Sequence, residues 1–265
     1  MISTSYLFAI NLLVVLVMMT ALWPYALWKK KASLVDRFWG LGFVLAAWIS
    51  LWLGQGFEVR KVLVTVLVSL WGLRLSAHIT FRSWGKPEDP RYAAMRKAHG
   101  ETFAIRSLWS VFGLQALLLW VISFPVQWSC AVSYPNHITA FDMLGAFVAL
   151  VGIALEAVAD HQLLSFTRRP ENRGKIMNRG LWAYSRHPNY FGETLVWWGI
   201  YLVALGTHQG WWTIISPTLI TFLLLRVSGV TLLESSMKAK NPEYQLYVET
   251  TSAFLPWFPK KHARR

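Results

Sequence analysis

The fold class predicted by the sequence is all-α: a polytopic membrane bundle of about seven transmembrane helices. Three observations lead there. Of the 265 residues, 55% are apolar, more than a soluble core of this length requires. The apolar residues gather into seven runs, each near the ~20 residues that cross a bilayer. The Lys and Arg behind the net charge of +13 fall between alternate runs instead of being spread along the chain.

The runs are 5–28, 38–55, 60–81, 107–125, 139–165, 190–207 and 211–233. The first is too long for a cleaved signal. Its basic cluster, Lys29-Lys30-Lys31, follows the apolar stretch, so it reads as a retained helix with its amino end outside. Arg37 belongs to the same basic loop. Arg82, Lys86, Arg91, Arg96, Lys97 and Arg106 follow the third run, and Arg168, Arg169, Arg173, Lys175, Arg179 and Arg186 follow the fifth. Lys238, Lys240, Lys260, Lys261, Arg264 and Arg265 lie in the tail. The intervening loops, near 55–59, 126–138 and 206–210, carry almost none. All four basic segments then share one side, which places the carboxyl terminus in the cytoplasm.

The expected organisation is one integral membrane domain, 1–265, with amino-terminal helices in 1–135 and carboxyl-terminal helices and tail in 136–265. This segregation of charge argues against nucleic acid as a partner. Membrane lipids and a lipophilic small molecule fit better. The lone Cys130 excludes an intrachain disulfide and a cysteine metal cage, and no metal is expected. Trp197-Trp198 and Trp211-Trp212 read as interfacial belts.

Loop arginines serve topology, but ionisable groups within or at the edges of spans cost a few kcal/mol and need a partner or a task. These are Asp36, Arg74, His78, Glu156, Asp160, Asn189, Glu193, Arg226 and Glu234. Arg74 and His78, Glu156 and Asp160, and Asn189 and Glu193 are each four apart, hence on one helix face. Arg226 and Glu234, eight apart, share a face of the last run. Interhelical ion pairs, such as Glu156 or Asp160 with Arg226, are one reading. The other is a ligand site. Asp160 sits where the macrodipole disfavours an anion, yet Arg168 and Arg169 follow closely. That combination suits a nucleotide, with phosphates for the arginines and ribose or base groups for the acid. In "SRHPNYFGE", Pro188 fits a first helical turn. Its free amides, with Arg186 and His187 before them, make an anion-binding end. Asn189 and Glu193 descend one face below, with Tyr190 alongside.

At these residues "GLWAYSRHPNYFGE" resembles the signature of membrane reductases of the steroid 5α-reductase type, including bacterial relatives grouped as domain of unknown function 1295. "SLVDRFWG", "LWGLRLSAHITFRSWGKPEDPRY", "EAVADHQLLSFTRRPENRGKIMNRG" and "VSGVTLLESSMKAKNPEYQLYVETTSAFLPWFP" extend the resemblance, in order, from about residue 33 to 259. It implies NADPH held among the carboxyl-terminal helices in a cavity open to the cytosol. Asp160 matches the acid that meets the cofactor, Arg168 or Arg169 a basic nucleotide contact, and Asn189 and Glu193 the groups near the nicotinamide amide. Arg179, Tyr184, His187 and Tyr190 complete the expected lining, and Arg226 and Tyr247 lie in the tail region that closes over it. On the substrate side Asp36 falls near the family's carbonyl-polarising acid. The partner tyrosine has no clear equivalent, and His78 is the nearest polar candidate. The implied reaction is hydride transfer to an α,β-unsaturated carbonyl of a steroid-like or other lipid. The bacterial relatives imply an inner membrane, with the site facing the cytoplasm.

Two alternatives stand beside this reading. "RHPNYFG" and the tail also resemble S-adenosylmethionine-dependent membrane methyltransferases of the isoprenylcysteine or phospholipid type. A non-enzymatic lipid-binding protein would leave the polar stripes structural.

Overall fold

A computed structural model describes residues 3–227, 229–231, 234, 237 and 244–260. Lys238, Lys240, Lys261, Arg264 and Arg265 lie outside the described residues. The described structure is helical, and six stretches are long and apolar enough to cross a membrane: Thr4–Trp28, Leu34–Leu53, Glu58–Ser83, Pro90–Ile122, Ala140–Arg168 and Gly210–Val227. The chain is therefore an integral membrane protein of the all-α class.

In order, the helices are α1 (Thr4–Trp28), α2 (Leu34–Leu53), α3 (Glu58–Ser83), α4 (Pro90–His99), α5 (Phe103–Ser107), α6 (Leu114–Ile122) and α7 (Phe124–Ala131). They continue as α8 (Ala140–Arg168), α9 (Pro188–Leu205), α10 (Ile215–Phe222) and α11 (Tyr244–Thr250). Two expectations shift. The fourth span begins at Pro90, because Asp89 caps α4 by accepting from the Arg91 N–H at 2.9 Å, and a 3₁₀ turn and a π-turn carry it on to α6. The sixth run forms α9, but its 18 residues include Asn189 and Glu193 and fall short of a span. Apolar protein surrounds much of it: Val196, Trp197, Ile200, Val203 and Ala204 are fully buried. Trp197 is thus a core residue and not part of an interfacial belt, whereas Trp211 is exposed.

The chain divides into two compact units. In the first, Met1–Ala146 with Ile200–Ser216, α2 and α3 approach backbone to backbone. A Cβ added at Gly40 would meet the Gly72 carbonyl oxygen at 2.3 Å. At one end of this unit the two basic loops are tied together. The Glu88 carboxylate accepts from the backbone N–H groups of Ala32 (2.6 Å) and Ser33 (3.0 Å), and Arg37 donates to Ser83. The Lys31 ammonium donates to the Lys86 carbonyl.

The loops poor in Lys and Arg also meet. Gly56 N–H donates to Cys130 O (2.7 Å), and His208 N–H to Tyr134 O (3.1 Å). Arg60, fully buried, is bonded to both Asp142 oxygens (2.7 and 3.0 Å) and to the Pro135 and His137 carbonyls (2.9 Å each). Asp142 also accepts from the Thr139 N–H and hydroxyl at 2.8 Å, capping α8. Each guanidinium nitrogen and each carboxylate oxygen of this buried pair therefore has a partner, as charges removed from water require.

The second unit, Phe147–Gly199 with Pro217–Arg265, is organised on α8 and α9. Their backbones touch at Gly152 and Gly192: a Cβ at Gly152 would lie 2.6 Å from the Gly192 oxygen, and one at Gly192 would lie 2.7 Å from the Glu156 nitrogen. The loop between the two helices is fastened to α8. The Trp182 indole N–H donates to Ala159 O (3.0 Å), and the Leu181 N–H to the Gln162 side-chain oxygen (3.0 Å). Gly180 makes this fit, having a positive φ of 60° and lying so close that a Cβ would reach 2.7 Å from the Gln162 amide.

Candidate functional site

Asp160 and Asn189, both singled out from helix spacing, meet in the second unit. Pro188 starts α9, and Ser185 prepares the start by accepting from the His187 N–H (3.1 Å) while donating to Phe254 O (2.8 Å). Asn189 therefore falls in the first turn, and its amide donates to Asp160 on α8 at 3.1 Å. That bond uses the Asn189 nitrogen only. Its side-chain oxygen is buried and accepts from no described residue, as does the Thr194 hydroxyl on the same helix. Glu193 and Glu156 lie buried one turn deeper, on α9 and α8 respectively. Asp160 on α8 and Asn189 in the first turn of α9 thus present a carboxylate and an amide oxygen, both acceptors, and Arg168, Arg169 and Arg179 are exposed at the end of α8 and in the loop that follows.

Arg186 and His187 take a different place from the one expected. The Arg186 guanidinium donates to Glu234 (2.7 Å) and to the backbone oxygens of Val248 (3.0 Å) and Thr251. Its own N–H donates to Ser252 O at 2.9 Å. Arg186 therefore fastens the tail, and Glu234 pairs with it although the sequence had set Glu234 on a stripe with Arg226. A π-turn over Leu223–Val227 changes the helical phase there, and Arg226 is exposed. Burial opposes the charge of Glu234, but the bond and charge of Arg186, with His187 beside, outweigh it and hold the carboxyl below its ordinary value. His187 lies 3.3 Å from Glu234 and stacks on Tyr190, with ring centroids 5.5 Å apart. Its burial prevails over the attraction of Glu234 and lowers its pKa to about 4. The neutral ring meets the carboxylate with an N–H at Nε2. The Tyr247 hydroxyl donates to Trp182 O at 2.5 Å, so it braces the loop, and burial pushes its pKa up. Tyr184 is half exposed, its ring edge-on to Phe258.

Both shifts in this node point one way with pH. The unfolded chain protonates His187 near 6.5 and the folded chain only near 4, so stability rises with pH across that window and falls on acidification. Glu234, whose folded pKa is depressed, adds stability above its unfolded value that is also lost as pH falls. Thermal melting between pH 6.5 and 4 is expected to show a loss of Tm that His187→Gln makes shallower. An unchanged slope in that variant would remove His187 from the account.

In the first unit Asp36, in the first turn of α2, has found a tyrosine. The Tyr92 hydroxyl on α4 donates to it at 2.8 Å, the Gln115 amide on α6 lies 3.5 Å from it and 3.2 Å from the tyrosine oxygen, and Arg91 reaches it at 3.3 Å. His78 is not among the partners of Asp36. Tyr92 is 7% exposed. Tyr92 and Gln115 were missed because 56 and 79 residues separate them from Asp36. A local signal did exist. "DPRY" is an N-cap followed by proline, which starts a helix and puts Arg91 and Tyr92 in its first turn. Burial raises the Asp89 carboxyl, but the bonds from Arg91 dominate and hold it below the usual carboxylate range. Among the described residues, no three His, Cys, Asp or Glu side chains form a metal site.

Residues 22–251, most of the chain, match the family described as a protein of unknown function, DUF1295. The chain belongs to that family. This DUF1295 protein is also 24% identical to an uncharacterized protein of Schizosaccharomyces pombe, over 96% of its own length and 81% of the relative's. A shorter stretch of 69 residues is 35% identical to 3-oxo-5-alpha-steroid 4-dehydrogenase 1 of Bos taurus, covering 26% of each chain. No solved structure matches. Of the polar clusters described in this DUF1295 member, one in each unit gathers residues expected of the site. Asp36–Tyr92–Gln115 offers a hydrogen-bonded acid and phenol, and Asp160–Asn189 offers buried acceptors.

Proposed function

We propose that this chain is an NADPH-dependent membrane reductase that reduces the carbon–carbon double bond of an α,β-unsaturated carbonyl in a lipophilic, steroid-like or other lipid substrate. The observation that carries the reading is the Asn189 side-chain oxygen, buried beside Asp160 without a donor among the described residues. An unmet acceptor of this kind is costly unless a ligand supplies the hydrogen. The carboxamide of a nicotinamide has an –NH₂ group to offer, so the residues present fit the cofactor. When bound, NADPH supplies the hydride.

The protein's own groups do the rest. Asn189 and Glu193 orient the carboxamide, Asp160 takes ribose hydroxyls, and Arg168, Arg169 and Arg179 neutralise the phosphates. The stacked His187 and Tyr190 support that wall, with Tyr184, Arg226 and Tyr247 toward the tail. Asp36 and Tyr92 polarise the substrate carbonyl. The Tyr92 hydroxyl, which donates to Asp36 in this structure, would turn its proton to the oxygen on which charge develops, while Gln115 holds the pair in register. With the hydride on the β-carbon, a proton from water on the α-carbon completes the reduction. The partial kinship with a bovine enzyme named for redox chemistry on a 3-oxo-steroid supports this substrate class. The asymmetry of Lys and Arg supports an amino end outside, a cytoplasmic carboxyl end and site, and, with the family resemblance, a bacterial inner membrane.

Nucleotide-dependent melting of the detergent-purified protein tests the reading. At a hundredfold excess over Kd, NADPH is expected to stabilise by about 2.7 kcal/mol. Asp160→Ala and Glu193→Ala should abolish that gain while still melting cooperatively. Stabilisation by S-adenosylmethionine alone would replace the reductase with the methyltransferase.

A further inference from the structure

Beyond its site, the second unit carries an apolar projection that packing leaves largely uncovered. Leu255, Trp257 and Phe258 are 63%, 72% and 77% exposed, consecutive but for Pro256. They are not on a loose end. Ser185 donates to Phe254 O (2.8 Å), the Trp257 N–H to Tyr184 O (2.9 Å) and the Lys260 N–H to Thr250 O (2.9 Å). Phe258 packs edge-on against Tyr184 at 6.1 Å. The backbone is thus fixed while three large side chains point away from the protein.

The position of this projection follows from what it is fastened to. α8 ends at Arg168 and α9 begins at Pro188, so the loop holding Tyr184 and Ser185 lies where α8 leaves the apolar layer. Exposed basic groups occupy the same loop and tail: Arg173, Lys175 and Lys260. The sequence continues through Lys261, Arg264 and Arg265. Trp and Phe with Lys and Arg beside them match the headgroup region, where rings sit among acyl ends and cations meet lipid phosphates. Pro256 and Pro259 also remove two backbone donors that such a layer would leave poorly satisfied.

We infer that Leu255–Phe258 forms an interfacial wedge that inserts into the headgroup layer of an anionic bilayer, with Lys260, Arg173 and Lys175 binding the lipid phosphates. It is a lipid-recognition surface separate from the proposed reductase chemistry.

The full chain in nanodiscs provides the test. Cys130 is the one native cysteine and is buried, so Phe258→Cys can be labelled selectively with an environment-sensitive fluorophore. In an equal mixture of phosphatidylcholine and phosphatidylglycerol, the label should be quenched by brominated acyl chains and shielded from iodide. Phosphatidylcholine alone should give weaker acyl-chain quenching. Lys260→Gln should lower the inserted-to-free ratio roughly fivefold in the mixture, the effect of one basic group near an anionic surface. Unchanged melting of each variant keeps folding out of the comparison. A label open to iodide in both lipids, or equal insertion in both, overturns the proposal. Self-quenching that grows with the number of chains per disc also overturns it, since the wedge would then bind a second copy.

Discussion

Asp142→Ala is expected to lower the unfolding free energy in detergent by about 3–5 kcal/mol, the cost of stranding a buried charge. Arg60 has no exposed surface, and its guanidinium is fully engaged by Asp142 and two loop carbonyls. Removing the acid leaves a cation in a place that water cannot enter. The loops at this end lose their common anchor, and α8 loses its cap. The outcome should not be read as the worth of the pair. The double variant Arg60→Met/Asp142→Leu, which removes both charges, should recover much of the loss. Equal destabilisation of the single and double variants would show that shape, and not charge, holds this end.

Tyr92→Phe is expected to lower kcat about 100- to 1,000-fold on a conjugated carbonyl substrate, with NADPH-dependent stabilisation intact. The substitution removes one oxygen atom and leaves Asp36 its contacts with Arg91 and Gln115. The loss would therefore report the proton that the phenol lends to the developing enolate and little else. Stopped-flow oxidation of NADPH measures it directly. Unchanged turnover in Tyr92→Phe together with a dead His78→Ala would return the role to the histidine.

The extent to which these features could be read from sequence follows from their range along the chain. The spans were legible because a bilayer imposes length and apolarity on each helix separately. The Asp160–Asn189 contact was legible in outline, since four-residue spacing places each polar stripe on one helix face. α4 was hidden by its polarity and its dependence on a cap, although "DP" marked the start. Arg186–Glu234 was not legible, because it depends on a π-turn that alters helical phase within five residues. Asp36–Tyr92 joins residues from two helices, and no periodicity reports a pairing over that separation. Arg60 and Asp142 stand near the ends of their runs, and no spacing singled them out. Only burial distinguishes them from the exposed arginines of the other loops.

The touching backbones at Gly152 and Gly192 set a depth to the polar region above them. Asp160 and Asn189 lie on the loop side of that contact, and Glu156 and Glu193 lie at it. Between the two glycines there is not space for one methyl group, so no file of water can pass along this seam. Under the proposed function a charged ligand and water would enter part-way into the bilayer, and a water path continuing past them would conduct ions. The seam closes two backbones on each other and would bar such a path between α8 and α9.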